Sequence, residues 1–213
     1  MMRTMRTVTR HRERAATERA ALDQILDEGK VAVLATVTPE GEPWVVPLLY
    51  ARDGDRILVH GSTGAGALRR MATGAPVALC VTHLDAIVVA HSTFESSANY
   101  RSAVVYGALE PLTGPEQYDA LDMLSEHIIP GRTSEVPPMT DKERAATLCM
   151  QLWITEGEWV VKVRDSWSDE PDTPDHPWCG IVPMQTSYGP PVSAPWSTDV
   201  DVPESVRRLA AGE

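Results

Sequence analysis

The chain lacks several features that would assign it to a class at once. It has no apolar run approaching the roughly 18 residues of a membrane-spanning helix. Its N-terminus is basic and leads into polar residues, so we expect no secretory signal. Its three cysteines, Cys80, Cys149 and Cys179, lie far apart, which fits neither a disulfide framework nor a C-x-x-C metal site. We therefore expect a reduced, cytoplasmic setting and no membrane partner.

A basic surface is also missing, because the formal net charge over 213 residues is −11. This argues against a nucleic-acid partner. The charge is uneven: residues 1–19 hold six arginines and two glutamates, whereas residues 165–213 hold nine acids and two arginines. We predict a basic N-terminal arm over residues 1–14 and a single domain over residues 15–164.

The last 49 residues contain eight of the 17 prolines and three of the six tryptophans. Proline at this density disfavours a regular helix or a central strand. The tryptophans are too apolar for a purely solvated linker. We predict an extension over residues 165–213 that lies over the domain or over a partner subunit, with a frayed acidic tail as the alternative.

The centre of the chain is rich in short β-type runs that follow one another through turns. Few helices separate them, which favours an antiparallel barrel over a doubly wound parallel sheet. Such a small barrel is filled by its own side chains, so a ligand lies outside it. The predicted strands are 31–37, 43–50, 56–60, 76–84, 86–92, 99–112, and a closing hairpin of 148–155 with 158–164; the predicted helices are 15–28, a short one ending at Gly74, 116–129 and 141–147.

The first stretch that suggests a binding site is HGSTGAG, residues 60–66, between a strand and a short helix. Glycines allow the backbone to approach a ligand, and hydroxyl and N–H groups can hold an anion. The stretch matches neither the Walker motif nor G-x-G-x-x-G, so a simple connecting turn is the alternative. Arg69 and Arg70 follow on the short helix, either as cationic support or as solvated surface.

The second such stretch is HSTFESSANYRS, residues 91–102, where polar, aromatic and basic residues precede a strand. Strand alternation places Tyr100 and Ser102 on one face and Arg101 on the other. A polar loop whose tyrosine covers the barrel is the alternative.

Five runs, DGDRILVHGSTG, PVALCVTHLDAIVVAHS, NYRSAVVYG, KVR and PWCGIVPM, occur in this order. They resemble the pyridoxamine 5′-phosphate oxidase-related, flavin-nucleotide-binding split-barrel proteins, in the branch that includes nitroimidazole-resistance proteins. The resemblance covers about residues 15–191. It implies a mainly β fold with peripheral helices, a six-stranded antiparallel split β-barrel of the FMN-binding-protein type. It also implies a homodimer with the cofactor in grooves between subunits.

The resemblance implies an FMN-dependent oxidoreductase acting on an unknown small molecule. Pyridoxamine phosphate oxidation is not implied, because the C-terminal Arg-Trp-rich run of the true oxidases is absent. The HGSTG turn matches the family's phosphate site, residues 47–50 match backbone that lines the flavin ring, and the KVR run, with Lys162 and Arg164, lies near the ring's open face. The residues implied to border the cofactor are Pro47, Leu48, Leu49, His60, Gly61, Ser62, Thr63, Gly64, Arg69, Tyr100, Arg101, Ser102 and Lys162.

The chain departs from the family pattern at two positions. Relatives carry Arg or Lys where this chain has Gly66, and Arg where it has His91. Two phosphate-facing cations are therefore missing, and Arg69 or Arg70 are the available replacements. Histidine also leaves a second cofactor open, since a neutral imidazole in an apolar groove is a common axial ligand of haem. The alternatives to the flavoenzyme are a haem enzyme with His91 or His60 as ligand, and a binding protein without turnover. No other metal site and no catalytic residue is indicated.

Overall fold

The computed structural model describes residues 7–64 and 66–213. Up to residue 111 the described chain consists mostly of strands, and after it three of the five helices are interspersed with three strands. None of the described helices is long and apolar enough to span a bilayer. The strands are β1 (Ala15–Ala16), β2 (Val31–Val37), β3 (Pro43–Asp53), β4 (Arg56–Ser62), β5 (Pro76–Val89), β6 (Ser97–Ala108), β7 (Glu110–Pro111), β8 (Thr147–Trp153), β9 (Trp159–Arg164) and β10 (Gly180–Pro183); the helices are α1 (Arg19–Glu28), α2 (Gly66–Met71), α3 (Pro115–Ile128), α4 (Asp141–Ala146) and α5 (Glu204–Ala211).

The strands form one antiparallel sheet in the order β1-β9-β6-β5-β2-β3-β4-β8-β7, and β10 pairs with β5. The sheet rolls around a single core, to which Leu34 on β2, Ile57 on β4, Leu79 on β5, Met150 on β8 and Val161 on β9 all contribute. Strands from both ends of the sheet can share one apolar core only if the sheet curls on itself. The predicted mainly β, antiparallel split barrel is confirmed, with short strands added to its six.

The predicted closing hairpin between residues 148–155 and 158–164 is wrong. β8 pairs with β4, and β9 pairs with β6, so the two strands lie in different parts of the sheet. The two predicted strands on either side of Asp85 are instead the single strand β5, with a register shift between Leu84 and Ala86. A bulge of this kind absorbs one extra residue without ending the strand.

Helix α1 closes one end of the barrel. Its predicted apolar face is confirmed, because Leu22, Ile25 and Leu26 are buried. The hydroxyl of Tyr50 donates to the carbonyl of Leu26 at 2.6 Å, which ties the helix to β3. The helix starts later than predicted, since Ala15–Ala16 pair with β9 as β1.

The outer side of the sheet is divided into a covered and a bare half. Helix α3 covers β4 and β8 through a second apolar cluster that includes Leu58, Leu121 and Cys149. No described helix lies over β2, the first half of β3 and the middle of β5. There, outward-pointing apolar side chains are 41–60% exposed. We call this surface the outer apolar face; it consists of Val31, Val33, Val45, Leu49 and Leu84.

The C-terminal extension contains more regular structure than its prolines indicate. β10 pairs with β5, and after Pro203 the chain forms the helix α5, contrary to the expectation of no helix in this extension. The backbone N–H of Ser205 donates to Glu135 at 2.9 Å, which attaches α5 to the segment after α3. Trp167, Trp178 and Trp196 are exposed.

Candidate functional site

The sheet splits between β3 and β4. The two strands pair from Tyr50↔Val59 to Asp53↔Arg56, and beyond Tyr50 they diverge. Over residues 43–49, β2 is the only strand that pairs with β3 in the described part of the chain, while β4 continues to Ser62 beside β8. The backbone groups on the far side of β3 are therefore unpaired in the described structure. The split brings residues 47–49 opposite residues 60–64, which the sequence assigned to one site.

Helix α2 packs into this split. Leu68 packs against the barrel core, and a Cβ on Gly61 would lie 2.2 Å from Leu68 Cδ1. A larger residue at this position would displace the Leu68 side chain from its present place against β4. Gly61 therefore has a packing role within the predicted site.

The turn Ser62–Gly64 has few donors left for an anion. The N–H and the hydroxyl of Thr63 both donate to the carbonyl of Ala146, at 3.0 and 3.2 Å. The N–H of Gly64 donates to Ser62 Oγ at 3.1 Å, which leaves the Ser62 hydroxyl hydrogen free to donate outward. Positive charge near the turn comes from α2, where Arg69 and Arg70 are exposed.

Gly66 lies at the start of α2, and a Cβ built there meets no atom of another residue within 4 Å. A larger residue at this position would therefore meet no clash at its Cβ.

Several predicted residues share the bare side of the sheet. The register places Pro47 and Leu49 beside β2, and Ser102 opposite Lys162 and Thr82, all on the side of the outer apolar face. Tyr100 lies on the same side, opposite Leu84. Leu48 points the other way and packs against the core. The sequence prediction from alternation is therefore confirmed for Tyr100 and Ser102.

Arg101 points to the opposite side and is held by two carboxylates. Its guanidinium donates to Asp85 at 2.8 Å and to Glu28 at 2.5 Å, and these hydrogen bonds raise its pKa. A cation with two acidic partners has little charge left for a phosphate. Arg101 instead joins β5, β6 and α1.

Arg164 is also committed within the fold. It is buried, and its Nη1 donates to Asn99 Oδ1 at 2.8 Å and to the carbonyl of Ala98 at 3.1 Å. Lys162 is half-buried and makes no ion pair with any described residue. Of the two basic residues in the KVR run, Lys162 is the one available to a ligand.

A cavity of about 340 Å³ lies where α3 ends beside the outer apolar face. His60 and Leu49 border it, and desolvation by burial lowers the pKa of His60 although much of the residue is exposed. The imidazole is therefore neutral at pH 7 and able to ligate a metal. The remaining lining comes from α3, the segment after it and the first residue of β8, and sequence analysis missed these residues: Leu121, Leu124, Ser125, Ile128, Ile129, Arg132, Met139 and Thr147.

The other histidines have different surroundings. His91 is exposed in the loop between β5 and β6. His83 is hydrogen-bonded to the carbonyl of Ile25 at 3.0 Å, in keeping with a structural role. His60 is the predicted haem ligand that borders an apolar cavity.

A rolled antiparallel sheet, split beside a glycine-containing turn, defines a split-barrel protein with a binding cleft. Residues 18–159 match the model of the pyridoxamine 5′-phosphate oxidase family, and the chain belongs to that family. No curated protein matches the sequence.

Solved structures support this assignment. The chain is 41% identical to a FAD and haem binding protein from Mycobacterium smegmatis, with a TM-score of 0.89, over 92% of this chain and 97% of that one. It is 27% identical to the flavocytochrome Anf3 from Azotobacter vinelandii, with a TM-score of 0.86, over 95% and 94% of the two chains. A structure described as a candidate 5-nitroimidazole antibiotic resistance protein from Bacteroides thetaiotaomicron shares the fold, at 17% identity, a TM-score of 0.59, and coverage of 76% and 89%.

Proposed function

We propose that this protein is a flavin-dependent oxidoreductase that acts as a homodimer on a small molecule. The observation that carries the proposal is the split between β3 and β4, which opens directly onto the outer apolar face. One side of the split has an unpaired strand edge, and the other has the turn Ser62–Gly64. A flavin nucleotide needs both surfaces, one for its planar ring and one for its phosphate.

The strand edge suits the ring. A flavin ring is apolar on its faces and carries hydrogen-bonding atoms along its edge, and residues 47–49 offer apolar side chains beside unpaired backbone groups. The turn suits the phosphate less well, because among the described residues around it the Ser62 hydroxyl and the arginines of α2 are the groups available. The residues present thus fit a flavin whose phosphate is held by Ser62 with Arg69 or Arg70.

The outer apolar face supports the homodimer. Val45 is 60% exposed and Val31 52%, and their neighbours on the same side of the sheet are also apolar. Contiguous exposed apolar surfaces of this kind mark interaction sites. A second copy docked on this face would cover it and complete the wall of the split.

A bound flavin supplies one- and two-electron chemistry, and the protein binds it, orients it and limits the access of water. In this chain Leu49 and Pro47 would pack beside the ring, and Lys162 would place a positive charge on the same side of the sheet. A small substrate would approach from that side.

Haem is the second cofactor that we propose. The cavity bordered by His60 has mostly apolar walls, a neutral imidazole and one cation, Arg132, which is paired loosely with Glu135 at 3.4 Å. These groups fit an axial ligand, the macrocycle and a propionate. The structure at 41% identity is described as a FAD and haem binding protein, and the structure at 27% identity is described as a flavocytochrome.

The absorption spectrum of the full-length protein as purified tests both cofactors. We expect flavin bands together with a Soret band. His60→Ala should abolish the Soret band and keep the flavin bands, whereas His91→Ala should change neither.

A Soret band lost only in His91→Ala would move the ligand to the loop between β5 and β6. A spectrum without flavin, combined with no rise in Tm when FMN or FAD is added, would overturn the proposed function. Bound flavin without electron transfer to any dye would indicate a binding protein.

A further inference from the structure

Four side chains that can donate hydrogen bonds lie together where β6 begins and β9 ends. The register pairs Tyr100 with Arg164 and Ser102 with Lys162, so all four project from the same side of the sheet. Paired residues are about 5 Å apart, and alternate residues on one strand about 7 Å. We call these four residues the donor cluster. We propose that it binds an oxyanion of the substrate, a carboxylate or a phosphate group; the assignment to the substrate rests on the proposed function.

Arg164 carries a buried charge without a counter-ion. It is 8% exposed, and no carboxylate in residues 7–64 and 66–213 lies within 4 Å of its guanidinium. Asn99 Oδ1 and the carbonyl of Ala98, which accept from its Nη1, are neutral and leave the charge uncancelled. Its Nε is shielded from water and has no acceptor among the described residues. Buried charges in proteins are normally paired, so this guanidinium favours the arrival of an anion.

The anion has to come from another molecule. The residues outside the described ranges, 1–6 and 65, include no aspartate or glutamate. The chain therefore offers no acid that could neutralise Arg164 directly. A ligand that brings its own negative charge would do so.

The other three donors of the cluster are uncommitted. Lys162 is half-buried and forms no ion pair or hydrogen bond in the described part of the chain. The hydroxyls of Tyr100 and Ser102 belong to half-buried residues and likewise have no acceptor within the described ranges. Lys162 and the two hydroxyls can therefore contact an anion directly, while Arg164 contributes its charge from a buried position.

The surroundings of the donor cluster on this side of the sheet are apolar. Val104 and Val160 form the next pair along β6 and β9, and Leu84 lies opposite Tyr100 on β5. Leu84 belongs to the outer apolar face, so a second copy docked on that face would limit the access of water to the cluster. Charge interactions are stronger where water is excluded. The arrangement favours a ligand with an apolar body and one anionic end.

The nearest acids do not occupy the cluster. Asp85 is hydrogen-bonded to Arg101, which projects from the other side of the sheet. Glu13 and Asp165 border a cleft of about 550 Å³ beside Arg164, where both are exposed. Exposed carboxylates are screened by water and salt, so they reduce the positive potential of the cluster only in part.

Three probes that share a phenyl ring test the site on the full-length protein as purified. Benzoate and phenyl phosphate each carry an oxyanion, and benzamide is neutral. In calorimetric titrations we expect at least one of the two anions to bind about tenfold or more tightly than benzamide. The tighter of the two identifies the oxyanion. Equal binding of all three probes, or binding of neither anion, would overturn the site.

Substitutions in the cluster locate the anion. Lys162→Gln should weaken the preferred anion by about tenfold or more and leave the Kd for benzamide within about twofold. Ser102→Ala removes a neutral donor and should weaken the same anion by about two- to tenfold. Lys142→Gln, on the exposed first turn of α4, is the matched control and should change neither Kd. Unchanged anion binding in Lys162→Gln, or an equal loss for benzamide, would overturn the site.

Two flavins separate this site from the cofactor site. FMN carries a phosphate and riboflavin does not, and both are titrated into protein stripped of cofactor. Lys162→Gln should leave the ratio of the two Kd values unchanged, because we place the flavin phosphate at the turn Ser62–Gly64. A loss for FMN alone would assign the oxyanion to the cofactor and overturn the substrate site. If wild type binds an anionic probe through Lys162 but neither flavin, the proposed function fails and the anion site stands.

Discussion

The outer side of the sheet is closed over β4, β8 and the second half of β3, and open over β2, the first half of β3 and the middle of β5. In the closed half, α3 buries Leu58 and Cys149 completely. In the open half, valines of the same chemical character are about half exposed. The helix completes the fold of one half, and we propose that a second copy of the chain covers the other. The split and the His60 cavity lie on the boundary between the two.

The largest effect is expected from a charge in the open half. Val33→Asp would place a carboxylate without a partner in the interface of each subunit, at a cost of several kcal/mol. The dimer Kd should rise by at least about 1000-fold. Sedimentation velocity would show a folded monomer. Val136→Asp, at a similar exposure but outside the face, should remain dimeric; a dimer in both variants would remove the open half from the interface.

A void created by mutation in the closed half should lower the free energy of unfolding and leave dimer formation unaffected. Leu58 is fully buried beneath α3, and Leu58→Ala should lower the free energy of unfolding by about 2–5 kcal/mol, because the removed methyl groups leave a void. Urea unfolding followed by circular dichroism measures this. Met123→Ala, on the exposed side of α3, should cost less than about 0.5 kcal/mol. Similar losses in both would contradict the packing described for this half.

A cation introduced at position 66 tests whether the flavin phosphate lies at the turn Ser62–Gly64, on the boundary between the two halves. In Gly66→Arg the new Cβ meets no other residue within 4 Å, and a new charge-assisted hydrogen bond to phosphate is worth about 1.5–3 kcal/mol. The Kd for FMN should fall by about tenfold or more in calorimetric titrations. Gly189→Arg in the C-terminal extension, where a Cβ is also unobstructed, should have no effect. An unchanged Kd in Gly66→Arg would place the phosphate elsewhere.

The smallest effect concerns pH. Desolvation by burial lowers the pKa of His127 on α3 below its usual 6.5, so the unfolded chain takes up a proton first as the pH falls. Stability should therefore decrease as the pH falls through about 6.5, by less than about 1 kcal/mol for this group. His127→Gln, which can still donate to the carbonyl of Gly29, should flatten the curve of Tm against pH between 7 and 5. A steeper curve would contradict the assignment.

Local signals in the sequence predicted much of the fold. Val31–Val37 is a strand with the predicted bounds, because a β-branched run between Gly29 and a Pro-Glu-Gly turn leaves little choice. The predicted closing hairpin was wrong because its two strands are not paired by local signals. Residues 148–155 and 158–164 are neighbours in sequence, but each fills a separate place in the rolled sheet, and that pairing is set by contacts far along the chain.

The candidate site shows the same limit. Alternation correctly placed Tyr100 and Ser102 on one face, and the HGSTG run located the turn. Nothing local to residue 60 indicates that α3 and Arg132 border the same cavity, since that contact depends on where the helix docks. The two carboxylates that hold Arg101 come from α1 and the bulge of β5, and no spacing rule joins them.

β10 has a consequence for the behaviour of the protein at high concentration. β5 extends past the end of β2, which leaves hydrogen-bonding groups that could recruit a strand from another molecule and begin aggregation. Gly180–Pro183 occupies that edge, and its terminal proline has no N–H to offer a further strand. This part of the acidic extension thus covers the edge of β5 and blocks strand addition there, while the edge of β3 at the split stays open.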